Sequence, residues 1–194
     1  MSRNRLLILS VALLTIAAQL FIPTSMASRY EDILQTGERY LFKVEPRDPA
    51  DPFKGRYVVL DFPISSGAIK DLENPVIITE LPRKTAAYAI IDRDSDSIAR
   101  VRDIQKEPPK HQNYVRIKSS YSYNEKYNIT LPFDRYYAEE SKAPKIESLL
   151  WTRVAGQNVE FYADVRIKNG YAVIAELYVD DIAILDYLEQ QQSR

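Results

Sequence analysis

Apolar residues run without a charge from Leu6 to Ile22 in LLILSVALLTIAAQLFI, and no second run of comparable length follows. The run reaches the lower edge of the roughly 17 to 25 residues that cross a bilayer and exceeds the ~7 to 15 of a signal-peptide core. Arg3 and Arg5 precede it, so the positive-inside rule keeps the N-terminus in the cytoplasm and carries everything after Pro23 across the membrane. Two fates are open. Either the segment stays as an anchor in the inner (cytoplasmic) membrane, or a signal peptidase cuts after Ala27, where Ser25, Met26 and Ala27 provide a suitable site, and frees the protein into the periplasm. Both give the same division: residues 1–27 as anchor or signal peptide, and residues 28–194 as one extracytoplasmic domain, long enough to bury its own core.

Beyond the run, the hydrophobic period changes from helical to alternating. SRYEDILQ adds a helical turn or two beside the membrane, and Gly37 releases the chain into strands. Strands are predicted over Arg39 to Glu45, Tyr57 to Pro63, Val76 to Leu81, Ala86 to Ile91, Ile98 to Gln105, Tyr114 to Lys118 and Tyr127 to Leu131, separated by Pro, Gly, Asn and Asp. Two short helices interrupt them: SGAIKDLEN, 66–74, and APKIESLLWTRV, 143–154, where Pro144 suits a first helical position and Ile146, Leu149, Leu150 and Val154 share a face. Asn169-Gly170 predicts a two-residue hairpin turn within residues 159–179. That turn sets Lys168 opposite Tyr171, Ile167 opposite Ala172, Val165 opposite Ile174 and Phe161 opposite Tyr178, with Tyr162, Asp164, Arg166 and Lys168 on a wet face. The fold class is therefore mainly β (α+β): an antiparallel β domain with one or two short helices behind an N-terminal hydrophobic helix.

The most specific stretch is DPADPFKGRYVVLDF, residues 48–62. Pro49 and Pro52 bias Asp48 and Asp51 away from helix, Gly55 accommodates a positive φ, and the chain turns sharply into a strand. On that strand Tyr57, Val59 and Asp61 share one face, and Val58, Leu60 and Phe62 share the other, apolar one. GRYVVLDF resembles the signature of the GDYXXLXY family, membrane-associated bacterial proteins named for Gly-Asp-Tyr-x-x-Leu-x-Tyr. Gly55, Tyr57 and Leu60 match; Arg56 stands in place of the Asp and Phe62 in place of the last Tyr. LPFDRYYAEESKAP, 131–144, is similar to the family's acidic-Arg-Tyr-aromatic segment with its Glu and short helix. The resemblance implies the motif residues Asp48, Gly55, Tyr57, Leu60 and Phe62, action beside a multi-pass membrane protein, and no particular enzymatic activity.

Composition narrows the chemistry. Cysteine is absent, which excludes disulfides, thiolate catalysis and lipid attachment through cysteine. The 26 Lys plus Arg and 27 Asp plus Glu are interspersed, so the chain carries no nucleic-acid footprint. The lone histidine, His111, lies in a polar loop and leaves zinc without its usual ligands. Asp92, Asp94 and Asp96 alternate as in a calcium loop, and Asp103 falls at its twelfth position, but Ser97 replaces the glycine such a loop needs; a hairpin turn fits better. A Ser-Lys arrangement from Lys118, Ser119 and Ser120 is formally open. Glu139 and Glu140, as neighbours on a strand, point apart and do not suit a glycosidase pair. No cofactor is expected.

Tyr121, Tyr123, Tyr127, Phe133, Tyr136 and Tyr137 crowd the region 121–140 among polar residues. They suit either strand packing or a contact surface, since tyrosine joins area to a hydrogen-bonding tip. The leading expectation is a non-catalytic interaction or accessory module for an integral membrane or envelope partner, with Arg135, Tyr136 and Glu139 as its exposed contact. The alternatives are an extracytoplasmic hydrolase built on carboxylates or a Ser-Lys pair, and a sugar or small-ligand binder using the tyrosines.

Overall fold

A computed structural model describes residues 3–46, 57–75, 81–82, 84–123, 125–152 and 159–192. The apolar N-terminus forms one helix, α1 (Arg3–Thr36), unbroken through Pro23. Thr15 and Thr24 donate their hydroxyls to carbonyls four residues back, and Ser25 to one three back, so polar side chains stay satisfied within an apolar rod. The helix is long and apolar enough to cross a membrane, and its side chains from Val11 to Ile22 face outward rather than into a protein core. Only its last turns meet the domain, through buried Ile33, and it ends where the Gly37 N–H donates to the Ile33 carbonyl at 2.8 Å.

The strands are β1 (Glu38–Pro46), β2 (Tyr57–Asp61), β3 (Ser66–Ala68), β4 (Ala86–Arg93), β5 (Ala99–Gln105), β6 (Tyr114–Tyr123), β7 (Lys126–Thr130), β8 (Arg135–Tyr137), β9 (Phe161–Lys168), β10 (Tyr171–Val179) and β11 (Ile182–Ala183). Helix α2 (Ala143–Thr152) precedes β9, and α3 (Ile184–Gln192) closes the described chain. Six strands form one sheet in the order β11-β10-β9-β1-β2-β8, and five form another in the order β3-β7-β6-β4-β5. Among the described residues every ladder is antiparallel, as expected for strands joined by short turns. Two isolated parallel bridges, Leu41 with Ile98 and Val115 with Gly170, tie the sheets together. A single apolar core runs through both, and α2 seals it by burying Ile146 and Leu150. At its centre Phe42, Phe62 and Phe133 meet edge to face with centroids 5.2 to 6.0 Å apart.

The antiparallel β class is as expected, and most strands lie where alternation puts them. Four details differ. Residues 66–74 are not a helix: Ser66–Ala68 pair with β7, and only Ile69–Asp71 make a 3-10 turn. The ladder wins because Gly67 lets the Tyr127 ring lie against the backbone; a Cβ there would sit 2.6 Å from its hydroxyl. The hairpin has the expected turn, with Asn169 at φ 53° and Gly170 at φ 81°, and the expected first three pairs. A bulge between Ile174 and Glu176 then shifts the register, so Phe161 faces Val179 and Tyr178 faces Tyr162. The hairpin face expected to be wet is partly covered by the end of α1: Lys168 Nζ bonds Asp32 at 2.7 Å, and Asp164 is buried beside Arg39 and Arg166. Strand β6 extends past Lys118 to Tyr123, while the expected strand from Val76 lies outside the described residues apart from Leu81.

Candidate interaction site

Strand β2 alternates as its sequence demands. Val58 and Leu60 are buried, with Phe62 beyond them, whereas Tyr57 and Val59 are half-buried and Asp61 is exposed. Its neighbour on the open side is β8, with Tyr57 opposite Tyr137, Val58 opposite Tyr136 and Val59 opposite Arg135. The Leu60 N–H also donates to the Asp134 carbonyl at 2.9 Å. Two segments far apart in the chain, Tyr57–Asp61 and Arg135–Tyr137, thus form one pair of strands.

The outward side chains of this pair stack. The Arg135 guanidinium lies 4.9 Å from the Tyr57 ring centroid, and the Tyr57 and Tyr137 rings are 5.9 Å apart at 55°. A hydrogen bond with Tyr137 first, and then the charge of Asp134, push the Arg135 pKa further up, so the group is a fixed cation. Tyr137 is 70% exposed, the largest exposure of any aromatic side chain described in the domain.

Tyr136 points the other way. It is buried, not an exposed contact, because a strand sends neighbouring side chains to opposite faces and its own faces the core with Val58. Its hydroxyl donates to Glu176 Oε1 at 2.8 Å, bolting β8 to the bulge of β10. Burial, and then the Glu176 carboxylate, push its pKa up, which keeps the phenol a neutral donor. Between these strands runs a groove of about 700 Å³, lined by Tyr30 of α1, residues 132–137 and residues 172–175. Glu139 is exposed beyond it, in the turn whose carbonyl accepts from Lys142 and Ala143 and so leads into α2.

Of the other motif positions, Asp48 and Gly55, with Pro49, Pro52 and Arg56, lie outside the described residues, as do the side chains of Tyr121 and Tyr123. Asp94 accepts from the Asp96 and Ile98 N–H groups and closes the β4–β5 turn. Asp92 is held below the usual carboxylate range, mainly by the Arg93 N–H. Among the described residues no group of three His, Cys, Asp or Glu side chains comes together to hold a metal. Ser119 donates to the Pro82 carbonyl at 2.6 Å and accepts from the Thr85 N–H, while Lys118, its neighbour on the strand, is exposed. Glu139 and Glu140 sit in a turn rather than on a strand, and His111 is exposed in a loop. A second cavity of about 520 Å³ includes Arg102 and Glu73, 3.5 Å apart, so these charges offset one another.

These features define a two-sheet antiparallel β domain carried on a single N-terminal helix able to cross a membrane, with an arginine and two tyrosines stacked beside a groove. The chain belongs to the GDYXXLXY protein family, which it matches over residues 19–177. No curated protein and no solved structure matches it. The expected contact of Arg135, Tyr136 and Glu139 left out Tyr137, which stood only among the crowded aromatics; the alternation within Arg135-Tyr136-Tyr137 held the signal, since Tyr137 shares a face with Arg135 and Tyr136 does not.

Proposed function

We propose that the protein is a non-catalytic accessory module, held by α1 at the outer face of a cytoplasmic membrane, that engages an integral membrane or envelope protein through β8 and the turn before α2. The main support is the joining of the two family segments into one exposed feature: Tyr57, Arg135 and Tyr137 stack beside a groove that also includes Tyr30 of the anchor helix. Tyrosine and arginine dominate the binding energy of protein interfaces, and Glu139 adds an acidic rim. Retention of the anchor is favoured because α1 runs unbroken past Ala27, its last turns are bonded to β9, and the family match begins within the apolar run. With Arg3 and Arg5 left in the cytoplasm, the domain stands on the periplasmic side.

The test is a mild-detergent pull-down of the tagged full-length protein from its native membranes, read by mass spectrometry, beside Tyr57→Ala, Arg135→Ala and Tyr137→Ala variants. A stoichiometric membrane or envelope partner, lost in these variants while their melting temperatures hold, is expected. A protein that purifies alone, or a partner retained by all three variants, overturns the proposed surface.

A further inference from the structure

The stretch from Leu6 to Ser28 carries no charged residue, and Arg29 is the first after it. At 1.5 Å per residue this is about 34 Å of helix, close to the ~30 Å hydrocarbon core of a bilayer. Helical side chains lean toward the N-terminus of their helix, so when α1 spans a membrane the Arg29 guanidinium reaches back into the headgroup layer.

The domain brings a second arginine to the same point. Arg29 and Arg116 of β6 flank the ring of Tyr171, their guanidinium carbons 5.3 and 4.6 Å from its centroid. Both direct an Nη1 at the Tyr171 hydroxyl, at 3.5 and 3.2 Å. The Asn169-Gly170 turn fixes this meeting, since the Arg116 N–H donates to the Gly170 carbonyl at 3.0 Å. Lys168 of β9 is already paired with Asp32, which lies about one turn further along α1. Among the described residues no carboxylate lies within ion-pair distance of Arg29 or Arg116, and Tyr171 is 39% exposed. Two cations that share one tyrosine and lack a counter-charge repel each other, and an anion bound between them removes that cost. Guanidinium groups match phosphate oxygens with paired N–H bonds, and tyrosine favours the depth of the headgroups.

We propose that Arg29, Arg116 and Tyr171 form a site for the phosphate of a lipid headgroup, which locks the domain against the membrane in one orientation. The proposal rests on the anchored reading above. Because the native chain has no cysteine, Lys118→Cys on β6 can carry a single fluorophore close to the site. The full-length protein is placed in nanodiscs of phosphatidylcholine, with and without phosphatidylglycerol, that contain a headgroup-nitroxide lipid, and quenching is compared with that of an Arg29→Gln, Arg116→Gln double variant.

The expected result is strong quenching that falls several-fold in the double variant while its melting temperature is kept, and that withstands added inorganic phosphate. Equal quenching in both proteins, with both still in the discs, overturns the lipid site and leaves the anchor intact. Quenching abolished by inorganic phosphate but indifferent to the arginines overturns it as well. A chain that does not enter discs at all overturns the anchored reading and this proposal together.

Discussion

Tyr127 shows how one residue responds to its surroundings. Its ring lies over Gly67, and burial, followed by the nearby charge of Asp71, pushes its pKa up from 10.0 to about 12. In the unfolded chain the phenol ionises near its ordinary value, so the folded state holds its proton longer. Stability is unaffected by this group below pH 10.0 and falls from there toward pH 12. A phenolate absorbance titration is expected to show late-titrating phenols, with one fewer near pH 12 in Tyr127→Phe. The same contact makes Gly67→Ala costly, since the new Cβ would meet the Tyr127 ring atoms at 2.6 to 2.8 Å. A loss of about 1–3 kcal/mol is expected by denaturant unfolding. Asp164 is the comparable polar position: its carboxylate is buried and accepts from Arg39 Nε at 2.7 Å. Asp164→Asn removes a charge-assisted bond, and a loss of about 1.5–3 kcal/mol is expected in the same measurement.

Among the elements, β1 carries the most. It pairs with both β2 and β9, and it delivers Phe42, fully buried, to the centre of the aromatic cluster. Phe42→Ala empties a cavity that Phe62 and Phe133 cannot refill without leaving their edge-to-face arrangement, and about 3–5 kcal/mol of stability is expected to be lost. The β9–β10 hairpin teaches a different lesson. Its turn follows from Asn169-Gly170, but its bulge does not follow from any local residue; the bulge brings Glu176 to Tyr136, a contact made with β8 across the sheet. Tertiary contact also decides the helix count. Residues 66–74 have a helical pattern, yet Ser66–Ala68 take a strand because β7 offers a ladder partner, and only Ile69–Asp71 make a 3-10 turn.

For the whole molecule, the deciding element of the proposed placement is α1, which is long and apolar enough to cross a membrane. A single arginine at the middle of a spanning helix costs about 2.5–3.5 kcal/mol of insertion, so Leu13→Arg is expected to move the protein from the membrane pellet toward the soluble fraction in an alkaline carbonate extraction, while the unaltered chain stays in the pellet. Local chemistry alone determined much of this protein. The uncharged run fixed an apolar helix, alternation fixed β1, β2, β4, β5 and β9 as strands and the buried face of β2, and an Asn-Gly pair fixed a hairpin, because each of these signals is spent within a few residues. The tertiary structure decided what long-range contact controls. It set the pairing of the signature strand β2 with β8, the inward turn of Tyr136 beside the outward Tyr137, and the docking of the last turns of α1 on the hairpin. A chain of alternating residues records which side chains share a face, but not which strand lies alongside. The stack of Tyr57 with Arg135 and the meeting of Arg29 with Arg116 exist only once the sheets have closed.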